Sequence, residues 1–340
     1  MEQTKKGFPA KQWIEVSPQE AGVNNLIISD FHRELERRGK GVYAAVIIKK
    51  GFIIYENYWN GFDRNTPGNV YSVTKSFVST LIGIAIDQKY LNIGDPVADH
   101  YEEFCAGPAE WYKESITIEN LLTMSSGIFC PTNAGFNHRM SISQDELNML
   151  LRLPVDRGKI GKFSYNDANY HLLSRILSKA TGMGPMEFAQ KVLFNELNIT
   201  GAENGESYPK WEADAQNINY GGFGLWLCAR DMAKLGYLFM NDGCWGEKRL
   251  LSKEWVSQSI SPQIRTTQKD VYYGYGWWNR EINGISVFYA LGSGGQSILC
   301  VPSLDLLIVF LCNRNSMAFR EVDCLWENLV LDLSRGAEGI

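Results

Sequence analysis

The stretch "NVYSVTKSFVSTLIGIAI", residues 69–86, sets Ser72 and Lys75 three apart at the start of an apolar run. On a helix, residues i and i+3 share a face, so Lys75 falls one turn beyond Ser72 and its amine can approach the hydroxyl. Serine is a weak nucleophile until a neighbouring base takes its proton. The free N–H groups and dipole of a helix start also favour negative charge at Ser72 during attack. Lysine serves as that base only if its pKa falls. Phe77, Val78, Leu81, Ile82, Ile84 and Ile86 make the following helix apolar nearly all round, and burial disfavours the ammonium form. The competing reading makes Ser72 an ordinary N-cap and Lys75 an exposed first-turn residue.

Outward from this stretch, "NNLIISDFHRELERRG" (24–39) places Leu26, Ile27, Phe31 and Leu35 at helical spacing and stops at a glycine. "VYAAVIIKKGFIIYENYW" (42–59) reads as two strands joined at Lys49-Lys50-Gly51. From 72 to about 240 the signals are mainly helical, with a capping-box spacing at Ser143 and Glu146 and helix stops at Gly182 and Gly243. Strand-like runs return after 270, and "REVDCLWENLVLDLS" (320–334) closes the chain as a helix. This order predicts an α+β fold: an antiparallel sheet flanked by helices, built from residues 1–66 and 245–340, with a mainly helical domain inserted at 67–244. A cleft between the two parts is where a site is expected.

The chain has 340 residues with 33 Lys and Arg against 38 Asp and Glu, a formal charge of -5. That balance offers nothing to nucleic acid or anionic lipid and leaves a small molecule as the expected partner. No run approaches membrane-spanning length, and the N-terminus lacks the pattern of a secretory signal. Seven scattered cysteines without a CxxC pair argue against a disulfide framework or zinc ribbon, so the expectation is a cytoplasmic protein with no metal.

GxSxG, HExxH and a Walker loop are absent, and "GGFGLW" (221–226) and "GYGWWN" (274–279) do not complete GxGxxG. Of the four histidines, His32 and His171 read as surface or satisfied side chains, and His138 as a candidate cleft residue. Two further stretches bear on the serine. "FSYNDANYHLLSRIL" (163–177) puts Tyr165 before a helical pattern, where Lys75 can lower its pKa for proton transfer; the alternative is a packed Tyr with Asp167 as N-cap. "YALGSGGQSILCVP" (289–302) carries glycines that let a backbone N–H approach an oxyanion. Trp226 and "YYGYGWW" (272–278) supply aromatic residues for a pocket or a core.

Taken in order, "YSVTKSF", "LLTMSSGI", "FSYNDANY" and "YALGSGGQ" resemble the serine β-lactamase and penicillin-binding-protein superfamily. The similarity is to the class C-like branch, with its family VIII esterases, D-aminopeptidases and 6-aminohexanoate-dimer hydrolases. "GGFGLWLCARDMAKLGYLFMNDG" (221–243) is similar to that branch's segment after the helical domain. The resemblance implies a β-lactamase/transpeptidase-like fold and no cofactor. It implies Ser72 as the acyl-forming nucleophile, Lys75 as its partner, Tyr165 as proton shuttle, and the backbone N–H groups of Ser72 and Ser293 as oxyanion donors. Asp167, Gly292, Gly294 and Trp277 are expected around the substrate. Two positions depart from the pattern: Tyr-x-Asn becomes Tyr165-Asn166-Asp167, and Lys-Thr-Gly or His-x-Gly becomes Ala290-Leu291-Gly292. Losing a cation and gaining an anion weakens recognition of a substrate carboxylate. The expected activity is hydrolysis of a small ester or amide, including amine-bearing ones, with little on β-lactams. The alternatives are a non-turnover penicillin-binding sensor, or a true β-lactamase or D-aminopeptidase.

Overall fold

The computed structural model describes residues 7–9, 12–38, 40–106, 111–130, 143–200, 208–315 and 319–338. His138 lies outside them. Helix α1 (Asn25–Arg38) precedes a hairpin of β1 (Val42–Lys49) and β2 (Phe52–Tyr58). Its two-residue turn puts Lys50 and Gly51 at φ 53° and 81°, the left-handed pair that such a tight hairpin requires. After β2 the chain leaves this sheet, and it returns with β6 (Ile264–Arg265), β7 (Tyr272–Tyr273), β8 (Trp278–Ile282), β9 (Ile285–Gly292), β10 (Gln296–Val301) and β11 (Leu306–Cys312). These form one eight-stranded sheet in the order β2-β1-β11-β10-β9-β8-β7-β6, antiparallel throughout.

The run Leu306-Leu-Ile-Val-Phe-Leu-Cys312 is apolar at every position because both faces of the sheet are covered. Alternate side chains go to opposite sides. Leu306, Ile308 and Phe310 pack with Phe31 and Leu35 of α1 and with Trp326 and Leu329 of the closing helix α5 (Phe319–Glu338). Leu307, Val309 and Leu311 face the larger core on the other side, which takes in helices α2 (Thr74–Asp87), α3 (Asp167–Thr181) and α4 (Ala229–Met240).

Between β2 and β6 the chain is mainly helical, with a small sheet of β3 (Gly68–Asn69), β5 (Leu225–Leu227) and β4 (Lys210–Trp211). Every residue of α2 from Thr74 to Ala85 is buried, the polar Thr74, Lys75, Ser76, Ser79 and Thr80 along with the apolar ones. Gly83 stands in mid-helix for close packing: a Cβ there would lie 2.3 Å from Trp255 Nε1. Helix α4 packs on the main sheet at Gly236, where a Cβ would come within 2.7 Å of Leu307 and Ile298 side chains. The capping expectation at Ser143 shifts by two residues. Asp145 caps the helix Glu146–Leu151 through Asn148 N–H, and Ser143 Oγ accepts from Asp145 N–H instead. No helix among the described residues is long and apolar enough to cross a membrane.

Candidate active site

Ser72 does not cap a helix. It sits inside a 3-10 turn, Tyr71–Val73, that leads into α2, and the N-cap position falls on Val73 with no side-chain bond. Tyr71 holds φ 47°, a left-handed conformation that costs free energy in a non-glycine residue and persists only where surroundings fix it. Asn69 Oδ1 accepts from Tyr71 N–H at 2.8 Å, and Thr74 Oγ1 donates to the Tyr71 carbonyl at 2.6 Å while accepting from Leu225 N–H at 3.3 Å. The nucleophile turn is thus tied to β5.

Lys75 is 1% exposed, not solvated. Its Nζ donates to Ser72 Oγ at 2.9 Å, to Asp167 Oδ1 at 2.5 Å and to the Gly222 carbonyl at 2.7 Å. An ammonium has one hydrogen for each of these three oxygens, and the contact with the Asp167 carboxylate favours the charged form. The sequence suggested that burial would lower this pKa. Burial does push it down, but the Asp167 carboxylate and the Tyr165 oxygen more than reverse the effect and hold it above the usual lysine value.

Asp167 reaches Lys75 because Asn166 does the capping. Asn166 Oδ1 accepts from Asn169 N–H at 3.1 Å, and its amide nitrogen donates to the Ile128 and Ser164 carbonyls. Asp167 becomes the first residue of α3, free to turn toward α2, and its carboxylate is favoured by both the helix start and the ammonium. Tyr165 lies under Lys75, with Nζ 4.9 Å from the ring centroid. Its ring stacks on Trp278 at 5.6 Å and meets Tyr273 edge-on at 6.3 Å.

Ser72, Tyr165, Asp167, Gly292 and Ser293 line one cavity of about 660 Å³. The end of β9 is pressed onto the segment before the nucleophile: a Cβ on Gly292 would lie 2.3 Å from the Val70 carbonyl oxygen. That contact joins the end of β9 to the segment before Ser72, and Ser293 lines the same cavity as Ser72. Gly294, expected at the substrate, does not line the cavity. It holds φ 82° in the β9–β10 turn, with its Cα against the backbone of Arg314. Trp277 is likewise displaced from the expected place. It is fully buried between Phe239 and Phe288, and its neighbour Trp278 faces the cavity. Adjacent positions near a strand point to opposite faces, so the doublet splits between core and site.

Two charged residues of the cavity had no signal in the motifs. Arg314 follows β11 and lays its guanidinium over the Tyr71 ring at 5.3 Å, returning a cation to the pocket from a different element than Ala290-Leu291-Gly292. A basic residue two positions after an apolar strand was the available cue. Glu212 also lines the cavity and accepts from Trp226 Nε1 at 2.9 Å. Another groove, of about 710 Å³, runs along β8 and β9, where Arg280 is already paired with Asp323 and Glu327. Among the described residues no three His, Cys, Asp or Glu side chains are grouped to hold a metal.

The 6-aminohexanoate-dimer hydrolase of Paenarthrobacter ureafaciens is 23% identical over 318 residues, covering 87% of this chain and 79% of that protein. In fold, a provisionally named 6-aminohexanoate-dimer hydrolase from Bacillus anthracis superposes with a TM-score of 0.78 at 19% identity, over 99% of this chain and 91% of that one. An octameric penicillin-binding protein homologue from Pyrococcus abyssi gives 0.71 at 21% identity, over 92% and 77%. The Beta-lactamase family model matches residues 27–331, which take in the whole eight-stranded sheet and all of the helical segment that carries Ser72, Lys75 and Tyr165, and the chain therefore belongs to the beta-lactamase family.

Proposed function

We propose that the protein is a serine hydrolase that cleaves a small ester or amide through an acyl-enzyme on Ser72. The observation that carries this reading is the triple bonding of Lys75 to Ser72, Asp167 and Gly222. A buried ammonium donating to a serine oxygen leaves that serine's own proton free to go elsewhere. Tyr165, over whose ring the ammonium sits, takes that proton on its phenolate oxygen, having given its own O–H proton to solvent before attack. Attack on the substrate carbonyl forms the Ser72 Oγ–carbon bond while the carbonyl oxygen becomes an oxyanion, held by the backbone N–H groups of Ser72 and Ser293. Collapse breaks the bond to the leaving group, which takes the proton from Tyr165. Water then repeats the sequence and frees the acid and Ser72. Lys75 keeps its charge throughout and acts as a fixed cation.

The substrate reading rests on the cavity. Trp278 and Phe223 give it apolar surface, and Glu212 and Arg314 add opposite charges to its lining without pairing to each other among the described residues. A small ester or amide carrying an amine, a carboxylate or both fits this lining. The hydrolase name of the Paenarthrobacter relative supports turnover. A sensor of the same fold remains the second reading, because Asp167 stands where the pattern has an amide.

The test is a panel of p-nitrophenyl esters, D-amino-acid amides and nitrocefin, with fluorophosphonate labelling of wild type and Ser72→Ala. Sustained ester or amide turnover with labelling lost in Ser72→Ala supports the hydrolase. A burst without steady state supports the sensor, and labelling that persists in Ser72→Ala places the nucleophile elsewhere. Efficient nitrocefin hydrolysis without ester turnover would make it a β-lactamase.

A further inference from the structure

The pair Gly221-Gly222 completes no nucleotide motif, yet Gly221 is packed as only glycine can be and Gly222 is packed tightly beside it. A Cβ on Gly221 would lie 1.8 Å from the Tyr170 carbonyl oxygen of α3, and one on Gly222 would lie 3.0 Å from Asp167 Cβ. The segment is pressed flat on α3. Its two backbone N–H groups converge on one side chain: Gly221 N–H donates to His171 Nδ1 at 3.1 Å and Gly222 N–H at 3.4 Å. The carbonyl of the same Gly222 accepts from Lys75 Nζ at 2.7 Å.

We propose that His171 is a positioning residue for the Ser72 site: its neutral Nδ1 anchors the Gly221-Gly222 backbone, so that the Gly222 carbonyl stays aimed at Lys75 and Phe223 stays on the pocket wall. The imidazole suits this task for three reasons. It is 2% exposed, so water does not compete for Nδ1. It is gripped edge-on by Tyr220 at 5.4 Å and Phe223 at 5.2 Å, which fixes the ring's orientation. It faces two cations, Lys75 and Arg175, against one carboxylate, Asp167; burial first and then those cations push its pKa down to about 3, so Nδ1 remains an acceptor throughout the range of assay. Arg175 is itself paired with Asp214. A peptide carbonyl supplies an acceptor for the Lys75 ammonium without adding charge, and a histidine holds it there without competing for the proton.

This inference rests on Ser72 being the nucleophile, and the experiment separates the two. Full-length wild type, His171→Phe and His171→Gln are compared by the rate of fluorophosphonate labelling, by kcat and KM on p-nitrophenyl butyrate from pH 5 to 10, and by melting temperature. Phenylalanine keeps the packing and removes the acceptor, whereas glutamine offers an amide oxygen. The expected result is a roughly tenfold loss of kcat in His171→Phe with KM within about twofold. Its alkaline limb should move to lower pH, because Lys75 loses an acceptor that favours its charged form. His171→Gln should recover most of the rate. Unchanged kcat and pH profile in His171→Phe would overturn the proposal. So would equal losses of rate and melting temperature in both variants, which mark a merely structural histidine. If His171→Phe does not fold, a folded His171→Gln with an unshifted alkaline limb and wild-type rate supports the anchor, and one with a tenfold lower rate overturns it. Wild type that is not labelled at Ser72 sinks the underlying hydrolase reading instead.

Discussion

Lys75 Nζ lies 2.5 Å from Asp167 Oδ1, with the two side chains 1% and 6% exposed. This ion pair joins the first turn of α2 to the first residue of α3 and fixes the charge state of the site. Removing one partner of a buried pair costs about 3–5 kcal/mol, because the other is left uncompensated. Asp167→Asn should therefore melt several degrees below wild type.

The pH dependence of that loss is more diagnostic. In wild type Lys75 holds its proton more tightly folded than unfolded, so its contribution is complete below the ordinary lysine value of 10.5 and disappears only as pH rises past the folded value. Without the carboxylate the largest influence opposing burial is gone and only Tyr165 is left against it, so the folded pKa should drop below the unfolded one. The unfolded chain then binds more protons, and the melting temperature of Asp167→Asn should rise from pH 6 to 9 while that of wild type shows no such Lys75-dependent rise. Melting measured by calorimetry across that range checks this, and parallel curves would sink it.

Tyr165→Phe isolates the proton acceptor. The ring would keep its stack on Trp278 and its place under Lys75, so binding and folding should change little. Loss of a positioned acid–base group lowers rates by about 10²–10⁴. A kcat reduced at least a hundredfold with KM nearly constant is expected on p-nitrophenyl butyrate, and a variant within threefold of wild type would move the base to another residue.

The Ser72-Lys75 pair was legible because it is local: three residues on one turn bring the groups together whatever the rest of the chain does. The run at β11 was likewise legible as a strand from its length and turn punctuation, whereas its coverage on both faces comes from the fold. The charge on Lys75 was not legible, since it depends on Asp167, 92 residues away, and on Asn166 taking the cap in its place. The Trp277-Trp278 doublet shows a second limit. Periodicity says that the two face opposite ways but not which faces the site, and the register of β8 against β7 and β9 decides it. Arg314 reaches the pocket only because β11 pairs beside β10 and the Gly294 turn abuts its backbone, a relation no motif encodes.

Arg314 should select substrate charge. Its guanidinium is seated on Tyr71 next to Ser72, and no ion pair holds it among the described residues. Arg314→Ala should cut kcat/KM about five- to tenfold for a p-nitrophenyl ester bearing a carboxylate, roughly 1–1.4 kcal/mol, and leave the uncharged analogue unaffected. The selective loss should shrink at high salt because the cation is exposed. Equal losses on both esters would mean that the arginine only supports the Tyr71 turn.

Gly292→Ala tests whether the oxyanion donors depend on a backbone approach. Gly292 does not sit at positive φ, so alanine meets no intrinsic conformational penalty and only its methyl group matters. That methyl would lie 2.3 Å from the Val70 carbonyl oxygen and 2.9 Å from Gln296 Cβ, both closer than contact allows. Gln296 is itself bonded through both amide atoms to the Cys312 backbone, so it cannot yield without loosening β10 from β11. Relief must therefore come from separating the end of β9 from the nucleophile turn, which draws the Ser293 N–H away from the Ser72 N–H. Losing one oxyanion donor costs about 10²–10³ in kcat. The expected variant folds with a melting temperature a few degrees low, is labelled by fluorophosphonate at least a hundredfold more slowly, and retains KM. A Gly292→Ala protein labelled at the wild-type rate would show that Ser293 takes no part in holding the oxyanion.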